Sequence, residues 1–368
     1  MTYNAYLVDG GDGRCVLFDG WPAGYGVRLA GVVGRLCRRV EMIVSHHSEP
    51  DHTGCLPVLV ERLGVGVVAS SPAGVRVLRS LYPGLGVEYR ALRDGETVSA
   101  GGVEFTAYHV PMLHWPDTMA SVLHGPELLL SCDVFGGFSV PQGISDEDVD
   151  PAGYLPYARK YFATVVGRYR SRVPGAVEKL GKAGFRAIAP GHGLLWLREP
   201  QVIVDAYLSW AEGRPRDKLL VVGFTAYGRA GRIADIAVEE AGKVFREVSV
   251  YMYTHWLQPH PAEVLGEVPD SAGILLVTIT YEAGLPPVIE WLLSLMAAKT
   301  AYRKPVAVVS LHAWGPPVAE KAAKQLAAAG FNPVYTASMK GLASEETVRE
   351  LVGKAVEALH GGHGPSKS

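Results

Sequence analysis

Ser45-His46-His47-Ser48-Glu49-Pro50-Asp51-His52-Thr53-Gly54 sets five potential metal ligands within seven consecutive positions. The stretch follows Glu41 to Ser45, which reads as a buried strand. The polar segment is therefore expected to be a loop at a strand's C-terminal end, where α/β proteins place their sites. In an extended loop side chains alternate with period two, which points His47, Glu49 and Asp51 the same way and sets His52 beside them as the chain turns at Gly54. One short stretch can thus feed two adjacent ions.

Further donors follow later apolar runs: His114 in Leu113-His114-Trp115-Pro116-Asp117, Asp133 in Leu130-Ser131-Cys132-Asp133-Val134, and His192 in Ala189-Pro190-Gly191-His192-Gly193. Each is expected at a strand end, and all are expected to converge on one rim. His46, His109 and His124 fall outside the spacing and are read as structural. Asp117 is read as a turn or hydrogen-bonding residue after Pro116.

The chain around this cluster is 368 residues long, enough for two cores. Its 48% hydrophobic and 20% charged residues describe a packed globular protein, and no apolar run reaches the roughly 20 residues that cross a bilayer. The first ten residues show no basic stretch leading into an apolar one, so a cytoplasmic protein is expected. A net charge of -2 without a basic tract argues against nucleic acid as the main partner. Cys15, Cys37, Cys55 and Cys132 form no C-x-x-C pair and are expected to be buried, reduced thiols.

Periodicity divides the chain in two. The first part opens with a hairpin, Ala5 to Val8 and Cys15 to Phe18 around a Gly-Gly-Asp-Gly turn, and continues with a helix near Val27 to Arg38. Strands are expected near Gly66 to Ala69, Val103 to Val110, Met119 to Leu123 and Leu128 to Cys132, with a helix after Pro72 and a long helical region from Gly153 to Gly181. The polar stretch Trp210 to Lys218 is read as the joint. Beyond it, strands at Leu219 to Phe224, Val248 to Tyr253, Gly273 to Thr278, Val306 to Leu311 and Pro333 to Thr336 alternate with helices at Ile233 to Ala241, Pro287 to Ala298, Pro317 to Ala329 and Ser344 to Leu359. That is the pattern of a doubly wound parallel sheet, and it looks flavodoxin-like. Domains are placed at 1–213 and 218–360, with 361–368 as a flexible tail.

The order H-x-E-x-D-H, then the histidine of L-H-W-P-D, then an aspartate, then the histidine of P-G-H-G resembles the flavodiiron proteins, also called A-type flavoproteins, over nearly the whole chain. The resemblance implies a metallo-β-lactamase-like αβ/βα sandwich followed by a flavodoxin-like domain. It implies one iron at His47, Glu49 and His114, a second at Asp51, His52 and His192, and Asp133 as the bridge. Hydrolases of the same fold carry H-x-H-x-D-H; Glu49 stands where their second histidine would be, and a hard carboxylate there shifts preference from zinc toward iron.

The resemblance also implies FMN, held by three loops. The first, Phe224-Thr225-Ala226-Tyr227-Gly228-Arg229-Ala230-Gly231, keeps a Thr-x-Tyr-Gly frame but shows Arg229 and Ala230 where the family has hydroxyl residues. Arg229 or Arg232 is a candidate to replace them with charge-assisted hydrogen bonds. The second runs from Thr278 through Thr280 and Tyr281 to Gly284; the third is His312-Ala313-Trp314-Gly315, with Trp314 a candidate to stack on the ring edge.

With both cofactors the electron count is four, two from ferrous ions and two from reduced FMN, which matches dioxygen to water; nitric oxide to nitrous oxide needs two. The expected function is thus an oxygen or nitric oxide reductase. The resemblance implies as donor a separate rubredoxin-like protein, or a reduced deazaflavin or flavin reductase, and as assembly a head-to-tail homodimer or a tetramer. Two rivals stand beside it: a binuclear zinc hydrolase with an appended flavodoxin-like domain, and an FMN electron carrier.

Overall fold

A computed structural model describes residues 1–300 and 302–362. The chain forms two compact units, Met1–Phe162 with Tyr169–Leu208, and Ala163–Arg168 with Ser209–Ser368.

The first unit holds two five-stranded sheets. One is ordered β1 (Tyr6–Asp9), β2 (Arg14–Phe18), β3 (Arg39–Val44), β4 (Val67–Ser70) and β5 (Glu88–Ala91); β1 and β2 are antiparallel and the remaining pairs parallel. The other comprises β6 (Glu96–Ala100), β7 (Val103–His109), β8 (Met119–Leu123), β9 (Leu128–Cys132) and β10 (Ala187–Pro190), adjacent in that order. Val16, Phe18, Met42 and Val44 from the first sheet share one buried cluster with Phe105, Ala107, Met119 and Leu130 from the second, so the sheets pack face to face. Alternation along β2 sends Cys15 and Leu17 to the opposite face, joined from β3 by Ile43 and, across a register shift after Val40, by Val40 itself, and there they pack with Leu29 and Val33 of helix α1 (Gly26–Leu36).

Three details depart from the sequence reading. The metal-ligand stretch is not all loop: Pro50 starts a one-turn helix, α2 (Pro50–Thr53), followed by α3 (Leu56–Leu63) and α4 (Pro72–Leu81). Proline suits the first helical position because its missing N–H would be unpaired there in any case. The long helical region is broken into α5 (Pro151–Tyr161), a π-helical turn at Phe162–Val166, a 3-10 stretch at Gly167–Arg172, and α6 (Val173–Ala183). Finally, Cys15 and Cys37 are joined as a disulfide with their Cα atoms 6.2 Å apart, while Cys55 and Cys132 are free and buried. The spacing of 22 residues hid that pairing, because the partners meet only when α1 folds back on β2.

The chain passes between units within α7 (Pro200–Glu212). In the second unit the strands β11 (Lys218–Phe224), β12 (Glu247–Tyr253), β13 (Gly273–Ile279), β14 (Pro305–His312) and β15 (Asn332–Lys340) are ordered β12-β11-β13-β14-β15, all parallel. Helices α8 (Arg229–Ala241), α9 (Pro261–Glu267), α10 (Pro287–Lys299), α11 (Ala319–Ala328) and α12 (Glu345–Gly361) complete it. Two clusters, one around Ile289 and Leu292 of α10 and one around Ile233 and Ala237 of α8, bury opposite faces of the sheet. This is the doubly wound arrangement expected of the second half, and its strand order reverses beside β11, where such folds bind ligands. Helix α12 runs through His360 to Gly361, and the ring of His360 packs on Phe245. Of the expected flexible tail, residues 363–368 lie outside the described residues.

Candidate functional site

The C-terminal ends of β3, β9 and β10 and the turn after β7 deliver the seven predicted donors to one place in the first unit. His47, Glu49, His114 and Asp133 present donor atoms within 4.8 Å of one another, as do Asp51, His52 and His192. In the first group Oε2 of Glu49 is 3.1 Å from Nε2 of both His47 and His114. Oδ2 of Asp133 lies 3.4 and 3.2 Å from the same two nitrogens. The other oxygen of Asp133, Oδ1, is 3.0 Å from Nε2 of His52 and 3.2 Å from Nε2 of His192. Oδ2 of Asp51 sits 3.4 Å from His192. One carboxylate thus faces both groups, an oxygen to each.

Among the described residues Oδ2 of Asp133 and Oδ1 of Asp51 are buried without a hydrogen-bond partner, although ring nitrogens lie close. Close donors that do not point at each other are pointing at a shared centre, which is the geometry a cation satisfies. His47, His52, Asp133 and His192 are buried, while Glu49, Asp51 and His114 are partly open, so the cluster is reached from their side.

The break at Pro50 explains the division of ligands. Glu49 is the last extended residue, and with His47 it keeps the period-two relation expected of a loop. Asp51 does not share that direction: α2 turns Asp51 and His52 to the second group, correcting the expectation that Asp51 points with His47 and Glu49. At the far end, a Cβ on Gly191 would lie 2.7 Å from the His52 ring and one on Gly193 would lie 2.1 Å from the Tyr154 hydroxyl, so the P-G-H-G loop needs both glycines to bring His192 in.

Outer contacts fix the rings. Nδ1 of His192 is 2.7 Å from the carbonyl oxygen of Thr2, which leaves Nε2 as the atom facing the cluster. Nδ1 of His47 lies 3.5 Å from Oδ1 of Asp117, whose other oxygen accepts the Ser48 N–H at 2.9 Å. His46, read as structural, bonds Asp19 at 2.7 Å and Ser121 at 2.9 Å, away from the cluster. His109 bonds the Leu92 carbonyl and His124 the Thr106 hydroxyl. Thr2 and Asp19 were not signalled by the sequence, since each acts on a histidine distant along the chain; Asp117 was seen, but without its link to His47.

Carboxylates and imidazoles in the cluster hold one another in their charged forms. Burial disfavours a charged Asp133, but His52, His114 and His192 overcome it and hold its carboxyl well below the usual range. Burial likewise works against a charged His47, and the carboxylates of Asp117, Glu49 and Asp133 prevail, pushing it up to about 10. Hydrogen bonds from His114 and His47 bring Glu49 down to about 2.

In the second unit, Thr225, Ala226, Tyr227, Arg229, Ala230, Thr280, His312 and Ala313 line one cavity of about 380 Å³ at the C-terminal edge of the sheet, with Ile279, Leu311, Gly341 and Leu342. Of the other predicted flavin-loop residues, Gly228, Thr278, Tyr281, Gly284, Trp314 and Gly315 do not line it, and Trp314 is exposed. Gly341 and Leu342, at the end of β15, were missed; the only signal was a glycine between a strand and the Ser344 cap of α12. Thr225 Oγ1, Thr278 Oγ1 and His312 Nδ1 are buried without a hydrogen-bond partner among the described residues, so this strand edge fits a polar ligand.

Comparison with known proteins agrees with both halves. Residues 2–185, half of the chain, match the metallo-beta-lactamase superfamily. The first unit therefore defines the protein as a member of that class. A substituted variant of the flavo di-iron protein from Thermotoga maritima has a solved structure that is 31% identical, with a TM-score of 0.88 over 98% of this chain and 90% of that one. The chain belongs to the flavodiiron protein family. Among curated relatives, the rubredoxin-oxygen oxidoreductase of Megalodesulfovibrio gigas is 27% identical over 371 residues, covering 97% of this chain and 90% of that protein. The nitric oxide reductase of Moorella thermoacetica is 26% identical over 318 residues, 85% and 78% of the two.

Proposed function

We propose that the protein is a flavodiiron oxidoreductase that reduces dioxygen to water, nitric oxide to nitrous oxide, or both. The observation that carries this reading is the division of Asp133 between two ligand groups, each completed by carboxylate and imidazole. His47, Glu49 and His114 would hold one iron, Asp51, His52 and His192 the other, and Asp133 would bridge them. Ferrous ions held there would supply two electrons and a binding place for a diatomic molecule, and FMN held in the second unit would supply the remaining electrons. Glu49, Asp51 and Asp133 offset the positive charge, which lets two dications sit close together. Glu49, Asp51 and His114 border the open side, so they would face the incoming gas.

Thr225, Ala226, Tyr227 and Arg229 would hold the FMN phosphate end, and Thr280, His312 and Ala313 the ring end. Tyr227, Trp256, Trp314 and Leu342 follow four different strands and are 93%, 92%, 79% and 71% exposed. An exposed apolar rim around a cofactor pocket fits a head-to-tail homodimer, in which it would be covered by a second copy. The donor is a separate rubredoxin-like protein, or a reduced deazaflavin or flavin reductase, and the compartment is the cytoplasm. Among the described residues no helix is long and apolar enough to cross a membrane.

Metal analysis, an absorption spectrum and stopped-flow reoxidation after anaerobic reduction test the reading together. Iron near two per chain with flavin bands, and reoxidation by either gas faster than free FMN, is the expected result. Zinc without turnover would establish the hydrolase alternative, and flavin without iron the carrier.

A further inference from the structure

The phosphate loop departs from the family at Arg229 and Ala230, and the structure distinguishes the two arginines placed nearby, Arg229 and Arg232. Arg232 is engaged: its guanidinium lies 3.2 Å from Glu345 and 3.9 Å from Glu239. Arg229 has neither an ion pair nor a side-chain hydrogen bond among the described residues, and it lines the cavity. It is the first residue of α8, a 13-residue helix whose N-cap, Gly228, sits at φ 83° and supplies no side-chain cap. The backbone N–H groups of that first turn are left for a ligand, and the helix dipole favours an anion there. A second observation points the same way. Thr225 is 8% exposed, lines the same cavity, and its hydroxyl is buried with no hydrogen-bond partner among the described residues. Ala230 is wholly buried in the cluster around Ile233, so its position contributes an amide and no side-chain donor.

Resting on the flavin reading above, we infer that Arg229 holds the 5′-phosphate of FMN with the Thr225 hydroxyl and the first amides of α8, replacing a hydroxyl pair by one guanidinium. Arg232 instead ties α8 to α12. A guanidinium differs from hydroxyls in carrying charge, so recognition of the phosphate here is electrostatic and discriminates strongly against the phosphate-free flavin.

The test uses the full chain stripped of flavin, with FMN and riboflavin as probes and binding read by quenching of flavin fluorescence at two salt concentrations. Arg229→Ala is expected to weaken FMN by about tenfold to a hundredfold and leave riboflavin unchanged, with a smaller dependence on salt than in the parent. Arg232→Ala is expected to leave FMN affinity within about threefold. A thermal melt of each variant shows whether the unit is folded, and Arg229→Lys provides a milder change that keeps the charge. If the parent binds FMN and Arg229→Ala binds it equally well, or loses both flavins alike, the assignment of Arg229 is overturned. If Arg232→Ala is the variant that loses FMN selectively, the assignment is likewise overturned. A parent that binds neither flavin sinks the flavin reading itself, a distinct result.

Discussion

Nδ1 of His47 and Oδ1 of Asp117 lie 3.5 Å apart, both fully shielded from solvent. Asp117 is in turn held by the Ser48 N–H, so the residue following His47 places a carboxylate beside the His47 ring, at a separation that stops short of a hydrogen bond. Carboxylates in this position raise the basicity of a metal-binding imidazole and fix its orientation.

Asp117→Ala should therefore lower affinity for the ion at His47, Glu49 and His114 by about tenfold to a hundredfold and leave the other ion in place. Metal content after dialysis against graded chelator measures it. Retention of both ions at parental chelator concentrations would show that Asp117 serves the fold alone.

Glu49→His restores the H-x-H-x-D-H order of the hydrolase relatives of this fold. The expected outcome is a higher zinc-to-iron ratio in protein loaded from an equimolar mixture, with loss of gas-dependent reoxidation. An unchanged ratio would mean that residue 49 does not set the choice of metal.

The metal-free protein should lose stability as pH rises above neutrality. Burial opposes charge on His47 and His192, and nearby carboxylates overcome it, bringing both to about 10 in the folded chain against 6.5 for an ordinary imidazole. A raised folded pKa contributes stability that is fully present below about 6.5 and lost progressively as pH climbs through about 10. Metal-loaded protein lacks this component, because its ligand nitrogens carry no proton. Calorimetric scans of both forms between pH 6 and 10 decide the matter, and parallel curves would refute it.

Reducing the Cys15–Cys37 disulfide should destabilise the first unit by about 3 kcal/mol, the entropy of opening a loop of this size. Denaturant unfolding with and without reductant, and of Cys37→Ser, gives the value. Identical midpoints under all three conditions would leave the bond without a stabilising role.

Much of this was legible along the chain for one physical reason: donors that end apolar runs are delivered to the same edge of a sheet. His114, Asp133 and His192 could be read that way because short buried strands precede each of them in sequence. Likewise the alternating runs after Lys218 fixed a parallel sheet before its strand order was known. What escaped notice was short, half-exposed or dependent on distant contact. Strands Glu88–Ala91 and Glu96–Ala100 carry few apolar residues and no clean alternation, and α9 has only seven residues. Thr2 serves His192 through a backbone carbonyl, which any residue offers, so its identity could not reveal the contact. The helical turn at Pro50 was hidden by its brevity, since one turn shows no periodicity to read.

That turn makes the ligand segment sensitive to length rather than to composition. Upstream of Pro50 each residue flips direction, whereas downstream each swings by about 100° around an axis. Deleting or inserting a single residue at the join would keep every donor in the sequence yet send Asp51 and His52 to the wrong addresses. Grafting this segment onto another scaffold therefore requires carrying the proline and its spacing along with the donors.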